Sequence, residues 1–142
     1  MDIVPLEGNN EKIKVSGGIS PVTGRILIDG PIKKNKSTFI LGTRATYSDW
    51  ILGLLADKRL QKSKASFFDI QGIITNNINE KNSISLLGYY SNDKFDYYRE
   101  NAFNYGNFAS TLKWKHSFDS KLSSQVSAII SNYHYQLDIK QD

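Results

Sequence analysis

Apolar and polar residues alternate with a period of two along most of this chain. Around 83–90 it reads Ser-Ile-Ser-Leu-Leu-Gly-Tyr-Tyr, which places Ile84, Leu86, Gly88 and Tyr90 on one side. Leu122, Val126, Ala128 and Ile130 alternate with Ser123, Gln125 and Ser127, and Phe108, Leu112 and Trp114 with Asn107, Thr111, Lys113 and Lys115. Successive side chains of a strand point to opposite faces, so the pattern predicts strands that are half apolar and half wet. Turn residues divide the chain into seven such strands, at about 11–18, 22–30, 37–46, 66–76, 82–91, 104–117 and 121–137. One helix-like stretch, Trp50–Leu60, follows Ser48-Asp49, a pair suited to capping a short helix inside a long connection. The fold class predicted is all-β, an antiparallel up-and-down meander.

Connection lengths add a direction to the meander. Gly30-Pro31 with Lys33–Lys36, then 76–82, then Phe118–Lys121 are short, polar and of hairpin type. The connections at 47–65 and 92–103 are longer and carry Tyr, Trp and mixed charge. Apart from the first link at 18–22, short and long alternate, as they do in a membrane barrel with short turns on one side and long loops on the other.

Following parity strand by strand gives one face made of Ile13, Val15, Gly17, Ile26, Ile28, Phe39, Leu41, Thr43, Phe68, Ile70, Gly72 and Ile74. It continues through Ile84, Leu86, Gly88, Tyr90, Phe108, Ser110, Leu112, Trp114, Leu122, Ser124, Val126, Ala128 and Ile130. None of these positions is charged, where average composition would place about six charges. The opposite face carries Lys12, Lys14, Arg25, Asp29, Arg44, Asp69, Gln71 and Lys113. Such alternation fits a lipid-facing wall and a soluble sheet packed on one core equally well.

Composition narrows the choice less than pattern does. Of the 142 residues 39% are hydrophobic and 12% aromatic, too aromatic for a segment that stays disordered. No run approaches the length of a membrane helix, which leaves membrane strands open because their lumen face is polar. With no cysteine there is no disulfide, thiolate metal site or cysteine nucleophile. A net charge of +4 permits an anionic partner without demanding one. The N-terminal MDIVPLEGNN has neither the basic nor the apolar part of a secretory signal.

At this point the residues resemble a known family. The run Val15-Ser-Gly-Gly-Ile-Ser-Pro-Val-Thr-Gly-Arg-Ile-Leu-Ile-Asp-Gly-Pro-Ile32 is similar to the start of the barrel in TonB-dependent outer-membrane receptors of the Bacteroidetes type, with Asp29-Gly-Pro-Ile32 in the place of that family's "EGPI"-like turn. The likeness continues through Ser37–Tyr47, Ser48-Asp-Trp-Ile-Leu, Phe67-Phe-Asp-Ile-Gln71, 79–90, Tyr105-Gly-Asn107, Leu112-Lys-Trp-Lys-His116 and Ser131-Asn-Tyr-His-Tyr135, in the family's order. The resemblance implies a transporter with a plug inside a 22-stranded transmembrane β-barrel, energised through TonB. Residues 1–10 then correspond to the end of the plug or a linker and 11–142 to a partial barrel, about a third of the strands. The implied location is the outer membrane of a Gram-negative cell. The implied partners are outer-membrane lipid, the TonB complex through a plug region outside this chain, a surface lipoprotein and a nutrient ligand of unknown kind.

Specific chemistry is sparse. His116 and His134 are the only histidines and are expected at opposite ends of neighbouring strands, which does not make a metal site. No Gly-x-Ser-x-Gly elbow or other nucleophile setting occurs, so no enzyme activity is expected. Lys33/Lys34/Lys36 and Lys58/Arg59/Lys62/Lys64, with Trp114 between two lysines, suit a base-stacking surface in outline, but are read as solvated turns and loops, without a nucleic-acid partner. Tyr89, Tyr90, Phe95, Tyr97, Tyr98, Phe103, Tyr105 and Phe108 crowd one connection and its flanks. An interfacial rim is preferred for them over ligand capture. Catalytic, cofactor-binding and metal residues are assigned as none, no cofactor is expected, and substrate-binding residues stay unassigned. The alternative from another class is a soluble antiparallel β-domain binding a ligand or polysaccharide in the periplasm or outside the cell.

Overall fold

A computed structural model describes residues 8–54, 56–97 and 101–139. They form one seven-stranded sheet in which each strand pairs antiparallel with its neighbours in sequence. The strands are β1 (Lys14–Ile19), β2 (Thr23–Lys33), β3 (Ser37–Thr46), β4 (Lys64–Asn79), β5 (Asn82–Tyr97), β6 (Asn101–Ser117) and β7 (Ser123–Ile139). β1 and β7 do not meet, so the sheet is open at both edges. Among the described residues no apolar side chain is buried.

The short turns share a device that the sequence encodes locally. A side-chain oxygen accepts the backbone N–H groups two and three residues on. Asn79 does this for Lys81 and Asn82, Asp119 for Lys121 and Leu122, and Ser20 for Val22 and Thr23. Such side chains imitate a backbone turn, which is why Asn, Asp and Ser punctuate hairpins. The β2–β3 turn instead uses Asn35 at φ 58°, a left-handed conformation that Asn tolerates better than most residues. Its N–H donates to Asn10 Oδ1 at 2.9 Å. Of the segment 1–10, residues 1–7 lie outside the described residues; Asn9 N–H donates to Asp29 Oδ2 at 3.0 Å.

Two expectations about connections are corrected. Residues 92–103 are not a long loop: β5 runs on to Tyr97 and β6 begins at Asn101, with Asn92↔Gly106 through Tyr97↔Asn101 in register. Residues 98–100, including Tyr98, lie outside the described residues. The helix-like stretch is two short helices, α1 (Asp49–Leu52) and α2 (Lys58–Gln61), with Leu55 outside the described residues. The Ser48 hydroxyl does not cap α1; it donates to the Ala65 carbonyl at 2.8 Å and ties the connection to β4. Asp57 caps α2 by accepting from Arg59 N–H at 2.8 Å.

β2 also continues past Gly30-Pro31 to Lys33. Proline lacks a backbone N–H and is confined to open edges and bulges. Here the β1 ladder ends at Asp29, and the pairing with β3 shifts register between Pro31 and Lys33.

Candidate functional site

Register decides which side chains share a face, and the parity read from sequence carries across all seven strands. One row runs Val15, Ile28, Leu41, Gly72, Gly88, Ser110, Ile130. The next runs Gly17, Ile26, Thr43, Ile70, Tyr90, Phe108, Asn132. On the other side of the first lie Phe39, Ile74, Leu86, Leu112 and Ala128, then Ile84, Trp114 and Val126. A slip of one residue anywhere would have sent half of these to the wrong side.

This uncharged band has two borders. On β5 it is bracketed by Asn82 and Asn92, which enclose the nine residues Ser83–Ser91. Each asparagine hydrogen-bonds across to β6. Asn82 Oδ1 accepts from Trp114 Nε1 at 3.2 Å and lies 2.8 Å from His116 Nδ1, while Asn92 Nδ2 donates to Asn104 Oδ1 at 2.8 Å. At the tilt of a barrel strand, nine residues at about 3.3 Å would rise roughly 23 Å, close to the ~25 Å apolar band of an outer-membrane barrel. Trp114 stands at one border, and Tyr90, Phe108 and Phe68 stand at the other.

The two faces differ in crowding. Within the band of β5, Ile84, Leu86 and Tyr90 are exposed, whereas Ser83, Ser85, Leu87 and Tyr89 are half-buried and Ser91 is buried. A sheet curled toward the Tyr89 side gives this asymmetry, because side chains converge inside a curve and splay outside it.

The inner face carries a polar lane. Arg25, Arg44, Asp69, Ser91, Asn107 and Tyr133 follow one another in register. Arg44 Nε and Nη2 both donate to Asp69 Oδ2, at 2.9 and 2.8 Å, and its guanidinium lies 4.6 Å from the centre of the Phe67 ring. Asn107 Nδ2 donates to Ser91 Oγ at 3.2 Å. A depression of about 520 Å³ opens beside the lane, with Gly42 among its lining and Arg25, Asp69, Gln71 and Tyr89 around it.

Beyond Asn92 the chemistry of the two faces reverses. The outer face becomes Asn92, Lys94, Asp96, Asn104, Gln136 and Asp138. The inner face becomes Phe67, Asp93, Tyr105 and Tyr135 in one row, and Phe95, Phe103 and Leu137 in the next. The rings form a chain, with centroids 6.5 Å apart for Phe95–Phe103, 6.4 Å for Phe103–Tyr105 and 5.2 Å for Tyr105–Tyr135. Phe95 and Tyr97 stack at 6.2 Å.

The structure therefore divides the aromatic residues that the sequence grouped together. Tyr90 and Phe108 border the apolar band; Tyr89, Phe95, Tyr97, Phe103 and Tyr105 face the other way. Only cross-strand register reveals the ladder, and the sequence signal for it is the two-residue spacing of Phe95 with Tyr97 and of Phe103 with Tyr105. Trp114 and its neighbours Lys113 and Lys115 point to opposite faces, so they do not form one stacking surface. His116 lies at the short-turn end against Phe118, ring centroids 4.5 Å apart, and His134 opposes Gly106 at the far end. Among the described residues no three His, Asp or Glu side chains gather as a metal would require. No family model matches the chain, and neither the curated proteins nor the solved structures contain a match to it.

Proposed function

We propose that this chain is a wall segment of an outer-membrane TonB-dependent receptor, a barrel that takes up a ligand across the outer membrane of a Gram-negative cell. The observation that carries the reading is the uncharged band, nine residues high on β5, held in register from β1 to β7 and bordered by aromatic rings. A soluble sheet with such a face needs a second layer to cover it. Here the apolar side chains stay exposed, which is a stable state only in lipid or under a cover.

The reversal beyond Asn92 supports the same reading. Strands that leave the bilayer meet water on their outside, and Lys94, Asp96 and Asp138 suit that position. The open edges of β1 and β7 require further strands, since backbone groups left unpaired in lipid cost several kcal/mol each. In the complete barrel the segment supplies wall, three short turns on the periplasmic side, and the β1–β2 turn, the 47–63 connection and the β5–β6 hairpin outside. The plug and the link to TonB belong to the resemblance and lie outside the seven strands.

Purification without detergent tests the reading. The chain is expected to aggregate in water, and to become soluble and strand-rich only in micelles or lipid, where its open edges pair with one another. A monodisperse soluble monomer that melts cooperatively would support the soluble β-domain instead.

A further inference from the structure

Lipid outside and water within account for the band and the polar lane, but not for the ring ladder or for the one carboxylate set into it. Asp93 pairs with Phe67 on one side and Tyr105 on the other, and Phe95 is the next residue of the same face along β5. The cations nearest in register do not reach it: Lys94 and Lys64 lie on the opposite face, and Arg44 is held by Asp69. Among the described residues no ion pair involves Asp93.

The same sheet shows what a ring and a carboxylate do together. Phe67 and Asp69 hold the Arg44 guanidinium between a ring face, 4.6 Å away, and an oxygen, 2.8 Å away. A ring face carries negative electrostatic potential, so ring and carboxylate attract the same charge. One step along the face the arrangement recurs with Asp93, Tyr105 and Phe95, and among the described residues no cation is paired with Asp93.

We propose that Asp93, Tyr105 and Phe95 form a binding site for an organic cation, an ammonium or guanidinium group carried by an incoming ligand. This rests on the reading of that face as the ligand-facing side of the wall. An uncharged ligand lying over the rings would strip water from Asp93 and return nothing to it, and an anion would be repelled. A bare divalent ion is poorly served, because hard cations demand several oxygen ligands and the site's walls are rings. The ladder through Phe103 and Tyr135 then gives the apolar remainder of such a ligand a surface to lie on.

The test uses the full 142-residue chain refolded in a non-ionic detergent, with circular dichroism confirming strand content for every variant. Benzyltrimethylammonium is titrated by calorimetry, and benzyl alcohol serves as the uncharged ring. Saturable binding of the cation alone is expected, weakening with salt. Asp93→Asn should weaken it about tenfold or more and Tyr105→Leu several-fold, as loss of a charge partner and of a ring face require. Lys94→Gln, on the other face, should leave it unchanged. Equal binding of benzyl alcohol, no binding by the folded chain, or an Asp93→Asn variant with unaltered affinity would overturn the proposal while leaving the barrel reading standing. A detergent-free soluble monomer that binds the cation as described would do the reverse.

Discussion

Leu86 and Leu112 face each other across β5 and β6 near the middle of the sheet, yet remain 48% and 50% exposed. A leucine pair at the centre of a water-soluble sheet would be covered, since burying each is worth about 1.5–3 kcal/mol. Their neighbours on the same face, Ile74 and Ala128, extend the uncovered row without adding a charge.

In the barrel wall proposed above, arginine at Leu86 would meet lipid, and it is then expected to cost roughly 2–4 kcal/mol near the midplane. Ser85→Arg, one residue away, points to the inner face beside Thr75 and Lys113 and should cost far less. Folding yields into lipid vesicles, followed by gel mobility with and without heating, compare the two.

Arg44 and Asp69 are unequal partners, with side chains 53% and 10% exposed. Removing Arg44 strands a carboxylate that has little water. Arg44→Met is expected to destabilise by about 1–3 kcal/mol, and Asp69→Asn by less, because it leaves Arg44 free to reach solvent. The double variant should recover part of the Arg44→Met loss. Urea unfolding in detergent micelles supplies the comparison.

Asp119 sits in the β6–β7 turn, outside the strands. The backbone N–H of Lys121, then that of Leu122, hold its carboxyl below the ordinary range. A depressed carboxyl contributes stability that is fully present above the unfolded value, about 3.9, and is lost as pH falls through the folded one. The carboxyl carbon shift of Asp119, followed by NMR, should titrate below that of an aspartate in an unfolded peptide. Asp119→Ala should remove the turn's acid sensitivity. A midpoint at or above the unfolded value would contradict the hydrogen bonding seen.

The turns at 34–36, 80–81 and 118–122 lie at one end of the meander, and the 47–63 connection at the other. Single cysteines at Asn35 and Lys94, in the receptor proposed above displayed on intact cells, should differ in labelling by an impermeant thiol reagent. Lys94→Cys is expected to react and Asn35→Cys to be protected. The opposite result would invert the topology, and equal labelling would remove it.

Much of this sheet was legible because strand periodicity is a local property. Ile84, Leu86, Gly88 and Tyr90 announce a face without reference to any other strand, and the register then joins seven such faces. The extension of β5 was hidden for the same reason. Asn92, Lys94 and Asp96 fall on the parity that is apolar up to Tyr90, so a strand defined by one apolar face ends at Ser91. Its alternation continues with the sides exchanged, carried by Phe95 and Tyr97. The Phe103–Tyr105–Tyr135 ladder and the setting of Asp93 depend on pairing between strands, which no single segment encodes. At Ser48 the competition is between partners: its hydroxyl can serve α1 or the Ala65 carbonyl, and it donates to the tertiary partner.

The claim that the Leu86 face meets lipid is tested most directly by nitroxide scanning of β5 from residue 83 to 97 in liposomes. The absence of native cysteine leaves no background labelling. Collision rates with oxygen, which concentrates in lipid, and with a nickel chelate, which stays in water, report the surroundings of each position. Between 84 and 90 the even positions are expected to be rich in oxygen collisions and poor in chelate collisions, with the odd positions reversed. From Lys94 onward the even positions should turn accessible to the chelate. Chelate access to Leu86 equal to that at Ser85, or an oxygen maximum on the odd positions, would contradict the account.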